Sequence, residues 1–417
     1  MKSPEHAWLS PHAHARRPRP YPVFGSVPGV LRLSSLCSRH RAMFENLAAP
    51  ATAVTPRLAP TRRESRRSAP GNNRERVRFG SLREDLFGVG HPSIPPAKHR
   101  SKVSIVGTGQ VGLACAYSMI NQGTARELVL HDVASKLDAL EAEVEDLRHG
   151  AEFVQQISIK ATCDFKDTAN SDIVIIPAGA RQREGESRLD LVARNVAIFE
   201  SIVPPIAAAS PDAVLLILTN PCDVMTHVAT RISGLAPNKV IGTGTALDTS
   251  RFRALVAEYL DVDSGSVHGM VIGEHGDSSV AVWSQCTVGG VRLMDVHPEI
   301  GTDAAEEGLK HLHADVINAA GRIIARKGYT NWALGLTVTN IAKCILRDER
   351  HVLPLSVPAF GKHGVDVDVR LSLPAMLGSD GVLQVLNMPL SETEQEAIQK
   401  SAATLAEVQS NIVFGRQ

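Results

Sequence analysis

The amino-acid sequence predicts an α/β protein: a doubly wound parallel sheet, then a mixed α+β domain, the whole preceded by a disordered N-terminal extension. Three observations predict it. A β-branched segment, Lys102–Val106, runs into a glycine-rich turn and a helix-forming stretch. Short apolar strands then alternate with helical segments to about residue 244, the pattern of a parallel sheet with helices on both faces. Residues 1–100, by contrast, hold 13 of the 24 prolines and 16 Arg and 2 Lys against 6 acids. At roughly 100–200 residues per domain, a chain of 417 residues holds two or three folding units.

The neutral total charge hides an uneven chain, +12 over residues 1–100 and −12 over the remainder. Proline at that density disfavours helix and sheet interiors, and the Arg-rich, acid-poor composition is that of a disordered tail or an organelle transit peptide. Met1 to Arg19 is too rich in Pro and His for a good amphipathic helix; Leu31 to Leu47 would make a better one, and Met43 offers an internal start. Arg62, Arg63, Arg66, Arg67, Arg74, Arg76 and Arg78 offer contacts to nucleic acid or an anionic membrane surface. Without interleaved aromatic residues or a folded platform that signal is weak, and nucleic acid is not the expected partner.

No apolar run reaches the roughly 18 residues needed to span a bilayer, so no integral membrane segment is expected. The six cysteines (Cys37, Cys115, Cys163, Cys222, Cys286, Cys344) lie far apart, with no C-x-x-C pair and no nearby His at zinc spacing. Neither a disulfide framework nor a metal site is indicated, and a reducing compartment fits best.

Lys102–Val106 has the composition of a buried parallel strand and leads into Gly107-Thr-Gly109-Gln110-Val111-Gly112 and the helix-forming Leu113–Ile120. The first glycine permits the tight turn, the second lets backbone amides approach a pyrophosphate, and the third lets the helix pack on the strand. The helix N-terminus then faces the phosphates. A second strand, Glu127–His131, ends at Asp132, about twenty residues beyond Gly112, where an acid hydrogen-bonds the adenosine ribose hydroxyls. An acid there repels a 2′-phosphate, so NAD is the expected cofactor.

Further on, a helix runs through about Arg148, strands lie near Ile157–Ala161 and Asp172–Ile176, and a helix spans Leu189 to Ala209. A strand at Ala213–Leu218, a helix near Cys222–Ile232 and a strand at Lys239–Ile241 complete this half. From about residue 245 the pattern changes to long helices (Ser250–Leu260, Ala304–Arg326, Trp332–Leu346) and two-residue alternations such as Val365–Leu371. A last amphipathic helix, Glu392 to about Asn411, keeps Ile398, Leu405 and Val408 for packing.

Ligands of open parallel sheets bind beyond the carboxyl ends of the strands, so the polar residues there are the candidates. Four segments qualify: Ala178–Arg188, Thr219-Asn220-Pro221, Gly242–Arg251 with Asp248, and Val271–Ser279 with His275. Taken singly, Arg188 and Arg251 read as surface charges, Asp248 as a helix N-terminal acid and His275 as a turn histidine. Together they supply a base that titrates near neutral pH, an acid to orient it and two guanidinium groups. Hydride transfer between nicotinamide and a 2-hydroxy acid asks for that inventory: a proton acceptor, a carboxylate to stabilise the imidazolium, a cation to polarise the carbonyl, and a bidentate Arg for the substrate carboxylate.

Residues 102 to about 414 resemble the animal-type L-lactate dehydrogenases of the lactate/malate dehydrogenase superfamily. The resemblance rests on Gly107–Gly112, Asp146–Gly150, Ala178–Leu189, Thr219–Pro221, Gly273–Ser279 and Lys327–Ala333, all in order. It implies a Rossmann NAD-binding domain over residues 101–244 and a substrate-binding domain over 245–417. It further implies that His275 is the acid–base group, Asp248 its partner and Arg188 the carbonyl-polarising residue on a closing loop. Arg251 would clamp the carboxylate, Asn220 would hydrogen-bond the reacting oxygen and also lie beside the cofactor, and Thr330 would line the pocket. On the cofactor side the family assigns Gly107, Gly109, Gln110, Val111 and Gly112 to the pyrophosphate turn, Asp132 to the ribose and Arg181 to the phosphates.

Malate dehydrogenase is the alternative within the superfamily. There an Arg six residues before the catalytic Arg neutralises the second substrate carboxylate. Counting back from Arg188 gives Gln182, the lactate-type residue, whereas a shift of one would place Arg183 there. Ala246 departs from the Asn of many animal members, and Arg253 and His268 match positions that bind fructose bisphosphate in regulated bacterial members. The family is commonly tetrameric, with an N-terminal arm whose place residues 79–100 take here; most of residues 1–78 has no counterpart. A homo-oligomer, pyruvate and lactate as ligands, and a cytoplasmic location are the resulting expectations, with mitochondrial import through the Arg-rich leader as the alternative.

Overall fold

The computed structural model describes residues 101–180, 188–302, 304–412 and 414, without the side chains of residues 188, 189, 307 and 308. The expectations for the 1–78 extension, the 79–100 arm, Arg181 and Gln182 lie outside the described residues, as does the side chain of Arg188.

The first half is built from β1 (Lys102–Val106), α1 (Gln110–Asn121), β2 (Glu127–His131), α2 (Leu137–His149), β3 (Ser158–Thr162), β4 (Ile173–Ile176), α3 (Arg188–Ala209), β5 (Val214–Ile217), α4 (Cys222–Ser233) and β6 (Val240–Gly242). Its six strands pair in parallel in the order β3-β2-β1-β4-β5-β6, so the strand order reverses beside β1. That reversal opens a crevice at the carboxyl ends of β1 and β4. Helices cover both faces, which is why these strands read as continuous apolar runs. Ile105, Leu128, Leu130, Ile173, Ile175, Leu215 and Leu216 are all fully buried, each contributing about 1.5–3 kcal/mol relative to exposure.

The second half holds α5 (Ala246–Leu260), β7 (Val267–His268), β8 (Val271–Gly273), β9 (Ser279–Ala281), β10 (Thr287–Val288), β11 (Val291–Arg292), α6 (Leu312–Lys327), α7 (Trp332–Leu346), β12 (Val352–Pro358), β13 (Arg370–Gly378), β14 (Gly381–Val385) and α8 (Glu392–Ser410). Two short helical turns, Leu293–Val296 and Glu307–Lys310, interrupt it. The large sheet does not stop at the half-way point. Ser356 of β12 pairs antiparallel with Gly242 of β6, and β13, β8 and β9 follow, so one sheet runs through both halves.

Several expectations need correction. The alternation at Val365–Leu371 is not a strand over most of its length. Val365 and Val369 are buried while Asp366 and Asp368 face out, but these residues form an extended loop and pairing begins only at Arg370. The single helix expected over Ala304–Arg326 is two pieces joined at His311, the first containing Gly308, a weak helix former. The helix expected from Ser250 begins at Ala246, which carries Asp248 and Arg251 onto its first turns.

Asp190–Ala209 within α3 is long and apolar enough to cross a membrane by length and composition. Its Phe199, Val203 and Ile206 are nevertheless fully buried in the core, which accounts for the composition. The C-terminal α8 starts with a reciprocal cap between Ser391 and Glu394 and buries Ile398 and Leu405, with Val408 half-buried beside them.

Candidate active site

The cofactor turn lies at the end of β1. Gly107 has φ +105°, a conformation that favours glycine, and its N–H donates to the carbonyl of His131 at 2.8 Å. A Cβ on Gly112 would stand 2.1 Å from the Gly107 carbonyl oxygen, so only glycine lets α1 pack this closely on the turn. A Cβ on Gly109 would meet nothing within 4 Å: here the backbone at the helix N-terminus opens on free space, flanked by the exposed Gln110 and half-buried Val111. That is a cradle for a pyrophosphate.

Asp132 follows at the end of β2. Its Oδ2 accepts the Thr108 N–H and hydroxyl, both at 2.9 Å, and its Oδ1 accepts the Val133 N–H at 2.8 Å. Burial raises its pKa, but these bonds and Lys136 at 3.3 Å outweigh burial and hold the carboxyl below its usual range. It stays ionised, with acceptor capacity left for hydroxyl groups. These residues fit NAD.

The second cluster forms where α5 meets the end of β8. The Thr245 hydroxyl donates to the Val271 carbonyl at 2.5 Å, and the Val271 N–H donates to the Thr249 hydroxyl at 2.9 Å, fixing the helix to the strand. Gly273, at φ +90°, then turns the chain so that His275 faces Asp248. His275 Nδ1 lies 2.6 Å from Asp248 Oδ2, and Arg251 donates to Asp248 Oδ1 at 2.8 Å. Burial pulls the His275 pKa down, but Asp248, its hydrogen bond and Asp223 outweigh burial and Arg251, and the imidazole titrates above its ordinary 6.5. Burial likewise pushes Asp248 up, yet His275 and Arg251 bring it below the usual carboxylate range. The result is a carboxylate, an imidazole poised near neutrality and a guanidinium in one contact group.

The remaining candidates divide. Asn220 lies at the end of β5, before a cis bond to Pro221, with its side chain exposed and its carbonyl accepting from Asn195 Nδ2 at 2.8 Å. Thr330 occupies the turn between α6 and α7, half-buried. Arg188 begins α3. No hydrogen bond joins Asn220 or Thr330 to the His275 cluster among the described residues.

Two supporting residues escaped the sequence reading. Asn195, fully buried on α3, accepts the Ala180 N–H at 2.7 Å while donating to Asn220, and so clamps the ends of two neighbouring strand loops. Asp223, on α4, accepts the backbone N–H of His275 at 2.7 Å and the Ser356 hydroxyl at 2.6 Å. Each is a polar residue on the apolar face of a helix, and that was the available signal.

A dinucleotide cradle at the switch point of a parallel sheet, joined by a histidine–carboxylate–arginine group, defines an NAD-dependent oxidoreductase. Residues 101–242 match the family model described as lactate/malate dehydrogenase, NAD binding domain, and residues 245–413 match its alpha/beta C-terminal domain. The chain therefore belongs to the lactate/malate dehydrogenase family.

Among curated relatives, it is 48% identical over 323 residues to an L-lactate dehydrogenase of Petromyzon marinus, covering 76% of this chain and 96% of that one. It is 46% identical over 334 residues to an L-lactate dehydrogenase A chain of Gallus gallus, covering 80% of this chain and 100% of that one. Among solved structures, a lactate dehydrogenase from a Medee basin deep-sea metagenome library aligns with a TM-score of 0.71 and 39% identity, covering 75% of this chain and 99% of its own.

Proposed function

We propose that the chain is an L-lactate dehydrogenase interconverting pyruvate and (S)-lactate, with His275 as its acid–base group. The observation that carries this reading is the contact of His275 Nδ1 with Asp248 at 2.6 Å. It commits Nδ1 to the carboxylate, and Nε2, which makes no hydrogen bond among the described residues, remains for substrate. NADH, when bound, supplies the hydride. Protonated His275 gives its Nε2 proton to the substrate oxygen, and in the reverse direction the neutral ring takes the hydroxyl proton back. Asp248 stabilises the imidazolium state in both directions.

Arg251 keeps donors beyond the one given to Asp248, and its fork suits the substrate carboxylate. Arg188 is assigned to the carbonyl oxygen, Asn220 to the same oxygen, Thr330 to the pocket wall and Arg181 to the cofactor phosphates, all on the strength of the sequence resemblance. Gln182 supports the lactate-type reading, because a neutral residue there leaves a second substrate carboxylate uncompensated. Comparison of kcat/KM for pyruvate and oxaloacetate tests the proposal: pyruvate is expected to be preferred, and a preference for oxaloacetate would overturn it.

A homo-oligomer, tetrameric by analogy with the family, is supported by an exposed apolar face. Tyr117 on α1, Phe153 after α2 and Trp332 at the start of α7 rim a groove of about 630 Å³, each more than half exposed. A monomer seldom leaves such a patch in water. Light scattering of the wild type and of Phe153→Asp tests this: a tetramer that falls to smaller species in the variant is expected, and a monomeric wild type would refute it. A cytoplasmic location is supported by the poor helix-forming quality of Met1 to Arg19. A fluorescent fusion of residues 1–100 that accumulates in mitochondria would refute that assignment.

A further inference from the structure

A second group of chemically reactive side chains lies away from the His275 cluster, where α7 ends and β12 begins. Cys344, fully buried on the last turn of α7, faces Glu349 and His351. The thiol donates to Glu349 Oε2 at 3.5 Å, its sulfur lies 3.5 Å from His351 Nδ1, and Nδ1 lies 3.7 Å from Glu349 Oε2. The turn that brings them together is firmly built. Asp348 and Arg350 take positive φ values of 51° and 58°, which folds the chain back on the helix end. The Glu349 N–H donates to the Cys344 carbonyl at 3.0 Å, and Asp348 Oδ1 accepts the Ser379 N–H at 2.9 Å. The His351 carbonyl accepts the Leu377 N–H at 2.9 Å, which ties the third residue to β13.

We propose that Cys344, Glu349 and His351 form a binding site for a soft divalent cation of the Zn²⁺ type, with a water molecule as fourth ligand. A tetrahedral ion with bonds of roughly 2.3 Å to sulfur and 2.0–2.2 Å to nitrogen and oxygen separates its ligand atoms by about 3.4–3.6 Å. The two separations from sulfur, both 3.5 Å, meet that requirement, and the 3.7 Å between Nδ1 and Oε2 exceeds it by an amount that a side-chain adjustment closes, leaving the fold in place.

The donor set selects the ion, because thiolate with imidazole and carboxylate suits zinc, whereas calcium and magnesium take oxygen ligands. His351 is 58% and Glu349 27% exposed, so the fourth vertex faces solvent. Arg347 stands 3.9 Å from the other oxygen of Glu349 and offsets part of the negative charge. Binding replaces the thiol proton, which leaves to solvent as the sulfur–metal bond forms. The sequence shows no zinc spacing, because one ligand is a glutamate and the others are joined only by the turn.

The test uses the full chain and Co²⁺ as a spectroscopic stand-in, in the wild type, Cys344→Ser and His351→Ala. The wild type is expected to bind one Co²⁺ per chain with an intense near-ultraviolet sulfur-to-cobalt band, and Zn²⁺ is expected to displace it. Cys344→Ser is expected to lose that band. His351→Ala, altered only at an exposed side chain, is expected to bind at least roughly tenfold more weakly, the lower end of what even outer-shell losses cost. A wild type without the band, a band that persists in Cys344→Ser, or unchanged affinity in His351→Ala would each overturn the proposal.

Discussion

Asp223 accepts the backbone N–H of His275 at 2.7 Å, so a buried carboxylate on α4 fixes the main chain of the residue whose side chain Asp248 fixes. His275 is thus held by two acids, one bonded to its ring and one to its backbone. Burial pushes the Asp223 carboxyl up to about 6, against the opposing hydrogen bonds of Ser356 and His275. Between its ordinary 3.8 and about 6 the native state holds a proton the unfolded chain has already released, and above about 6 the carboxyl is ionised. Its contribution to stability therefore falls as pH climbs from its ordinary 3.8 toward 6.

Asp223→Asn keeps an oxygen for the His275 N–H but removes a negative charge that raises the imidazole pKa. The pH profile of kcat/KM for pyruvate reduction is expected to shift to lower pH, with NADH affinity unchanged. Steady-state kinetics across pH reads the shift, and an unmoved profile would show that Asp223 acts on the backbone alone.

The two directions of reaction are expected to depend oppositely on pH. Pyruvate reduction needs the protonated ring, so it weakens as pH rises through the raised His275 value, whereas lactate oxidation strengthens over the same interval. The same shift contributes stability that is complete below about 6.5 and is lost as pH rises through the folded value. Asp248→Asn is expected to lower kcat/KM for pyruvate by roughly 10²-fold or more. His275→Ala is expected to abolish turnover while NADH still quenches or gains fluorescence as in the wild type. One shared profile for both directions would remove His275 from the mechanism.

Gly109→Ala and Gly112→Ala separate a ligand cradle from a packing contact. At Gly109 a methyl group meets nothing, so Tm is expected to hold while the Kd for NADH rises. At Gly112 the methyl meets the Gly107 carbonyl oxygen at 2.1 Å, and a loss of about 1–3 kcal/mol in stability is expected from overpacking. Thermal melts and fluorescence titration distinguish the two, and an unaltered NADH Kd in Gly109→Ala would refute the cradle.

Gln182→Arg is expected to move preference from pyruvate toward oxaloacetate, because it adds a cation for the second carboxylate. The ratio of kcat/KM values measures it. An unchanged ratio in Gln182→Arg, together with a ratio altered by Arg183→Gln, would place the discriminating position one residue later.

The parts of the site legible in the sequence are those whose signal is local. Gly107 to Gly112 and Asp132 stand on one strand–turn–helix unit, and their spacing alone reports the backbone demand of the turn. Asp248 and Arg251 are close in sequence, and the glycines around His275 mark a strand end. Asp223 and Asn195 were not legible, because their roles depend on partners 52 and 25 residues away. The antiparallel strands β12 to β14 were missed for a different reason. β13 is buried along its whole length, Arg370 and Ser372 included, so its polar positions mark no solvent face, whereas the loop before it alternates without pairing.

The pairing of Ser356 with Gly242 bears on how the chain folds. The cofactor half ends in a strand whose outer neighbour is supplied 114 residues later, so that half cannot complete its own sheet, and the other half cannot either. Cutting the chain after Gly244 would leave each fragment with a bare, apolar strand edge, an invitation to aggregate. Heat or denaturant should therefore melt residues 101–412 cooperatively, in a single transition, and neither half is a useful module for transplantation into another protein.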